Sequence, residues 1–146
     1  VIALTVGGIL GGLVIARHGL KRMLWPMILI MHTPNLVFVY LAITQPTSLA
    51  LIGGALVIEQ FAYGFGFTAY MLYMIMVAEG ENKTAHYAIC TGFMALGMML
   101  PGMVAGWLQD HFGYVKFFAW VCVCTIPSFF ATALLKVDPA FGKKTG

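Results

Sequence analysis

Charge is what this sequence has least of. Of its 146 residues only 9% are Asp, Glu, Lys or Arg, where an ordinary soluble domain has roughly a quarter. Eight basic and five acidic residues spread over the whole length exclude a polybasic nucleic-acid binder. A hydrophobic content of 61% excludes intrinsic disorder. Mean hydropathy is +0.92, so the solvent this chain is built for is lipid. Cysteine is also scarce. Cys90, Cys122 and Cys124 are odd in number and lie in apolar runs, and the two closest are two apart, which on a helix sends them to different faces. Neither a disulfide framework nor a zinc site follows. Alternation of apolar and polar residues with period two is missing, which excludes a transmembrane β-barrel. An initiator Met and a signal-peptide pattern are missing at Val1, which lies inside an apolar run, so the sequence reads as a fragment.

What is present is a series of long apolar runs. Charges and turn residues divide the chain into five, at about 1–16, 23–43, 48–78, 84–108 and 114–135, with a polar tail over 136–146. A bilayer-spanning helix uses about 20 residues, so the chain holds at most about six spans. Runs of this length separated by loops of a few residues favour membrane helices over the buried helices of a large soluble core. The fold class is therefore all-α, a polytopic transmembrane helix bundle with one truncated and four complete spans. Ser48 and Thr84 are natural N-caps for the third and fourth spans. The third run is too long for one upright crossing of a core of about 30 Å. It must tilt, protrude or break, and Gly64 with Gly66 is the expected breakpoint. Gln109 to Gly113 is expected to form the turn before the fifth span.

Basic residues set the orientation. Arg17, Lys21, Arg22, Lys83, Lys136, Lys143 and Lys144 fall on one side and Lys116 alone on the other, so the first loop, the Glu79–Lys83 loop and the tail are expected to be cytoplasmic. The sequon at Asn82, Lys83 and Thr84 then lies on the wrong side for glycosylation.

The first loop reads Gly12, Leu13, Val14, Ile15, Ala16, Arg17, His18, Gly19, Leu20, Lys21, Arg22. It resembles the G-x-x-x-D-R-x-G-x-K/R-K/R signature of the major facilitator superfamily, with Ala16 standing where the family has its acid. By this resemblance the five spans are helices 8 to 12 of a twelve-helix transporter, and Gly12, Arg17, Gly19, Lys21 and Arg22 form a cytoplasmic gate loop. Glu59 to Tyr70 (EQFAYGFGFTAY), then Pro101 to Trp107 (PGMVAGW), and Gly113, Tyr114, Phe117 and Phe118 look like helices 10 to 12 of AmpG-type muropeptide permeases. The Thr and Ala after Gly66 come one residue late against that pattern. The resemblance implies uptake of an anhydro-muropeptide with protons across a bacterial inner membrane, completed by an N-terminal half not present in this sequence, and it implies no cofactor.

Glu59 is the only carboxylate away from a loop. It lies about 16 Å along its helix from Ser48, close to the expected bilayer midplane. An ionised side chain there costs at least about 2.5 kcal/mol, so protonation becomes accessible. A group neutral when buried and charged when wet can couple a proton to alternating access. The plainer alternative is a hydrogen-bonded glutamate that locks two helices. At about 100° per residue, Tyr63, Gly66, Tyr70 and Tyr73 fall within roughly 40° of Glu59, with Gln60 adjacent in sequence. Such a stripe suits a cavity for a sugar or peptide, and the alternative is a helix seam with an interfacial aromatic at its end, which fits Tyr73 better than Tyr63 and Tyr70. On the fourth span Tyr87, Thr91, Met94, Met98 and Pro101 share a face, which lines the cavity or simply packs.

Other features read as structural. Gly102 with Gly106, Gly7 with Gly11 and Gly8 with Gly12 have the spacing for close helix approach. Pro34, Pro101 and Pro127 interrupt three spans, and bends are expected there. His32 and Asn35 are expected to satisfy backbone loosened by Pro34, and no serine, histidine and carboxylate arrangement is visible. The expected function is a secondary transporter without enzymatic chemistry, whose partners are the bilayer, a small solute, protons and its N-terminal half. The rival is a membrane module that packs or senses but does not transport.

Overall fold

The structure is a computed structural model and describes residues 1–143, so the expectation for Lys144 and the last tail positions lies outside the described residues. The described chain is all helix and connection: α1 (Ile2–His18), α2 (Leu20–Thr44), α3 (Leu49–Val77) and α4 (Lys83–Leu134). By length and composition α2, α3 and α4 suffice to cross a bilayer, and α1 is a shorter apolar helix.

The breaks are tighter than the sequence suggests. Arg17 sits in the last turn of α1 and Lys21 and Arg22 in the first turn of α2, so the basic loop expected there is a one-residue connection at Gly19, whose φ of 85° favours glycine. The expected turn over Gln109 to Gly113 is corrected in the same way. Helix continues through Phe112, and only Gly113, at φ 73° and ψ 165°, departs from it. Gly113 separates α4 into arms at 83–112 and 114–134. The first arm starts beside the end of α3, where Lys83 and Tyr87 face Ile75 and Met76. The second starts beside the opposite end of α3, where Tyr114 and Phe118 face Ile52 and Leu56. The arms therefore run in opposite senses. Ser48 and Asn82 precede α3 and α4, and neither makes a side-chain cap bond.

The expected break in α3 does not occur. Its 29 residues form one helix, about 43 Å long, and its two central glycines serve contact instead. A Cβ on Gly64 would collide with the Leu4 carbonyl of α1, and one on Gly7 with the Phe61 carbonyl of α3. A Cβ on Gly11 would stand 2.7 Å from the Phe65 carbonyl. The backbones of α1 and α3 thus meet with no side chain between them. The Thr68 hydroxyl reinforces this seam, lying 3.2 Å from the Gly8 carbonyl and 3.0 Å from its own helix's Gly64 carbonyl. Gly66 serves the neighbouring seam, where a Cβ would stand 2.6 Å from Met31 Cβ of α2. Glycine keeps its helix here because the tertiary contact outweighs its weak intrinsic preference.

The other glycine pair differs. Gly102 and Gly106, and Gly12 as well, have nothing within 4 Å of a built Cβ among the described residues. Helix also continues through Pro26, Pro34, Pro101 and Pro127. The buried core lies at one end of the bundle and consists of Ile15, Leu20, Leu24, Met27, Ala69 and Met76. Leu135, and Val137 and Phe141 from the segment expected to be a polar tail, pack against it.

Substituting Gly7 or Gly64 by Val in the full-length protein should lower stability by about 1–3 kcal/mol, because backbone must move. Gly102→Val should cost markedly less. Reversible unfolding in mixed micelles checks the contrast, and equal losses at all three would contradict the glycine-mediated seam.

Candidate functional site

The α1–α3 seam fixes the rotation of α3 and so fixes where Glu59 points. Gly64 and Thr68, which meet α1, lie roughly 140° and 180° around the helix from Glu59, and Gly66, which meets α2, lies about 20° from it. Glu59 is therefore kept out of the α1 contact and placed at the margin of the α2 contact. It is half-buried, and its Oε2 accepts a 2.7 Å hydrogen bond from Gln60 Nε2. Among the described residues this neutral donor is its one hydrogen-bond partner, which leaves the carboxylate capacity to accept from further donors.

One turn on, half-buried Tyr63 stacks on Phe67 at 5.3 Å, and Phe67 meets Tyr70 at 6.0 Å in a tilted pair. Tyr63 and Tyr70 of the stripe are thus joined by Phe67, which sequence reasoning left out. The i, i+4, i+7 spacing of Tyr63, Phe67 and Tyr70 was the available signal.

The stripe divides between two surroundings. Gly66, Tyr70 and Tyr73 line a cavity of about 320 Å³ enclosed by α2, α3 and the 114–134 arm, opposite Leu24, Met31, His32, Ser128 and Thr132. Glu59 and Tyr63 are not among its lining residues. Gln60 instead borders a crevice against the start of α1, beside Ile2, Val6 and Phe61. Thr91 lies half-buried on the 83–112 arm, and its hydroxyl donates to the Ala88 carbonyl of its own helix at 2.9 Å.

His32 is placed differently from expectation. Its Nε2 lies 2.9 Å from Ser128 Oγ, across the gap between α2 and the second arm of α4. Ser128 Oγ also lies 2.6 Å from the Thr125 carbonyl. A hydroxyl has one proton, and the carbonyl can only accept, so Ser128 donates to Thr125 and accepts from His32 Nε2–H. A serine and a histidine come together here without a carboxylate beside them. The imidazole nitrogen facing the hydroxyl holds a proton already, and no Asp or Glu lines the cavity, so the pair is a tie between helices and no activated nucleophile. The buried Thr132 hydroxyl donates to the Ser128 carbonyl at 2.7 Å, and the His32 ring lies 5.3 Å from Phe129. With the Ser128 and Thr132 hydroxyls so engaged and the lining almost wholly apolar, the cavity suits apolar contents. Among the described residues, no group of three His, Cys, Asp or Glu side chains could hold a metal.

No family model and no solved structure matches this chain. Curated relatives do match. The protein named transporter AmpG 1 in Rickettsia felis is 24% identical over 131 residues, covering 88% of this chain and 29% of the relative. That of Rickettsia bellii is 25% identical over 139 residues, covering 94% and 33%. The anhydromuropeptide permease of Escherichia coli K12 is 25% identical over 126 residues, covering 86% and 26%. The chain is AmpG-like. It spans a third or less of the length of these relatives, which are named transporters and permeases and not enzymes. With helices long and apolar enough to cross a bilayer, this AmpG-like chain is a multi-pass membrane protein.

A double-mutant cycle on His32→Phe and Ser128→Ala should give a coupling of about 0.6 kcal/mol, with about 1.7 kcal/mol as the upper end for such pairs in membranes. Unfolding of the four proteins in bicelles reads it out. A coupling of zero would mean that this bond does not hold α2 to the second arm.

Proposed function

We propose that this chain is part of the C-terminal half of a major facilitator transporter that imports an anhydro-muropeptide, or a related sugar-peptide, across a bacterial inner membrane together with protons. The observation that carries this reading is similarity over nearly nine-tenths of the chain to proteins named as an AmpG transporter and an anhydromuropeptide permease. The relatives' greater length supports a role for further helices of the same protein in completing the pathway. Exposed apolar residues along the 83–112 arm, such as Phe93 and Met103, are available to pack against them.

The geometry of Glu59 supports the coupling. Inside hydrocarbon the protonated form is favoured, and in a wetted cavity the carboxylate is. If one packing of the helices buries Glu59 and another hydrates it, proton binding stabilises the first relative to the second. A solute that binds only one of the two then moves with the proton. Gln60 and Tyr63 stand next to that carboxyl and supply neutral donors for a sugar or peptide, while Tyr70 and Thr91 extend the candidate lining. Arg17, Lys21 and Arg22, set around the Gly19 hinge, face the cytoplasm as the gate loop.

In the full-length protein, Glu59→Gln should fold and bind solute but lose proton-driven accumulation by about tenfold or more. Uptake of a labelled anhydro-muropeptide into vesicles with and without an imposed pH gradient measures this. Gradient-driven uptake by the variant equal to wild type would remove Glu59 from the coupling. Absence of uptake in wild type, with solutes of this class, would favour a packing or sensing module.

A further inference from the structure

The segment after α4 is a folded strap. It leaves the helix at Leu135 and turns on itself, with Asp138 Oδ1 accepting from the Ala140 N–H at 2.9 Å and the Asp138 carbonyl from the Phe141 N–H at 3.2 Å. This turn delivers the Phe141 carbonyl to the Leu20 N–H, 3.1 Å away. Leu20 is the first residue of α2 and fully buried. Its N–H is one of the donors a helix cannot satisfy internally, and water does not reach it. The strap supplies the missing acceptor.

Two further contacts place the strap on the hinge. Gly142, at φ 78°, leaves so little room that a Cβ there would stand 2.9 Å from Ile15 Cγ2 of α1. Around Gly19 the nearest atoms to a built Cβ are the Pro139 carbonyl and Lys143 Cβ, at 3.6 and 3.8 Å. Phe141 packs on the buried core and also borders the crevice where α3 passes into α4, beside Met76, Glu79 and Lys83. A single aromatic side chain and its carbonyl thus bridge the α1–α2 hinge and the α3–α4 connection, the two connections whose basic residues mark the same side of the membrane.

We propose that residues 135–143 are a latch that holds these two connections together, and that the latch must release when the cytoplasmic ends of the helices move apart during transport. The attachment suits release. Among the described residues it has one backbone hydrogen bond to α2, no helix of its own and a half-buried Phe141, which places it among the segments that open before the helices separate. While it is seated, Arg17, Lys21 and Arg22 are held about a Gly19 hinge that cannot swing. The second half of the proposal rests on the transporter reading. The first does not.

Two measurements on the full-length protein in lipid vesicles test it. Hydrogen exchange at the Leu20 amide should rise about tenfold or more in Phe141→Ala, while amides in the middle of α3 stay protected. Unchanged protection at Leu20 would overturn the latch whether or not the protein transports. In a cysteine-free background, Ile15→Cys with Gly142→Cys should form a disulfide on oxidation, because a Cβ at position 142 would stand beside the Ile15 side chain that the first cysteine replaces. Oxidised vesicles should lose uptake and regain it with a reductant. Wild-type uptake by the crosslinked protein would show that release is not part of the cycle. If neither the reduced variant nor wild type transports, the function proposed above fails, and the exchange result alone decides for or against the latch.

Discussion

In hydrocarbon, helices gain nothing by hiding apolar side chains from one another, because the lipid is as apolar as they are. Association then depends on how closely backbones approach, and in this chain that means α1 against α3. Gly7 and Gly11 on one helix and Gly64 on the other leave no room for a Cβ, and Thr68 adds a hydroxyl to the same seam. Once α1 covers that side of α3, the rotation of α3 is set. Gly66 then falls toward α2 and Met31, Tyr70 and Tyr73 fall toward the second arm of α4, and Glu59 falls outside the seam. The position of every candidate site residue on α3 follows from this one contact.

Polar groups within the spans are handled in two ways. Most hydroxyls bond back to their own helix, as Thr33, Thr44, Thr91 and Thr125 do, and so present the lipid with satisfied groups. His32 and Ser128 instead pair across helices, 96 residues apart in sequence. They tie the second arm of α4 to α2 where glycine seams are lacking. The two ends of the bundle differ accordingly. At one end a buried cluster and the strap close the structure, while along the 83–112 arm residues such as Phe93, Met103 and Trp107 remain exposed.

The division of labour on α3 has a consequence for chemistry. Tyr70 and Tyr73 share an almost wholly apolar cavity with His32, whereas Glu59, Gln60 and Tyr63 stand apart from it. The stripe that looks continuous on a helical projection is therefore divided between two surroundings, joined through Phe67.

Hydropathy and helix periodicity belong to a single segment in its solvent, and for that reason the sequence by itself determined the all-helical character, the number of apolar runs, the distribution of basic residues and the depth of Glu59 along its helix. The AmpG-like pattern around Glu59 to Tyr70 and Pro101 to Trp107 was legible in the same way, being carried by local spacing. Partner choice was not legible. Gly7 with Gly11 and Gly102 with Gly106 have identical spacing, yet only the first pair meets a helix among the described residues, because contact requires a complementary surface that spacing does not encode. Gly64 and Gly66 read as a break from propensity alone, and tertiary packing turned them into contacts. The same holds for His32, whose partner comes from the other end of the chain, and for the strap. An apparently polar tail becomes part of the core because Phe141 and its carbonyl reach a buried N–H that only the folded bundle creates.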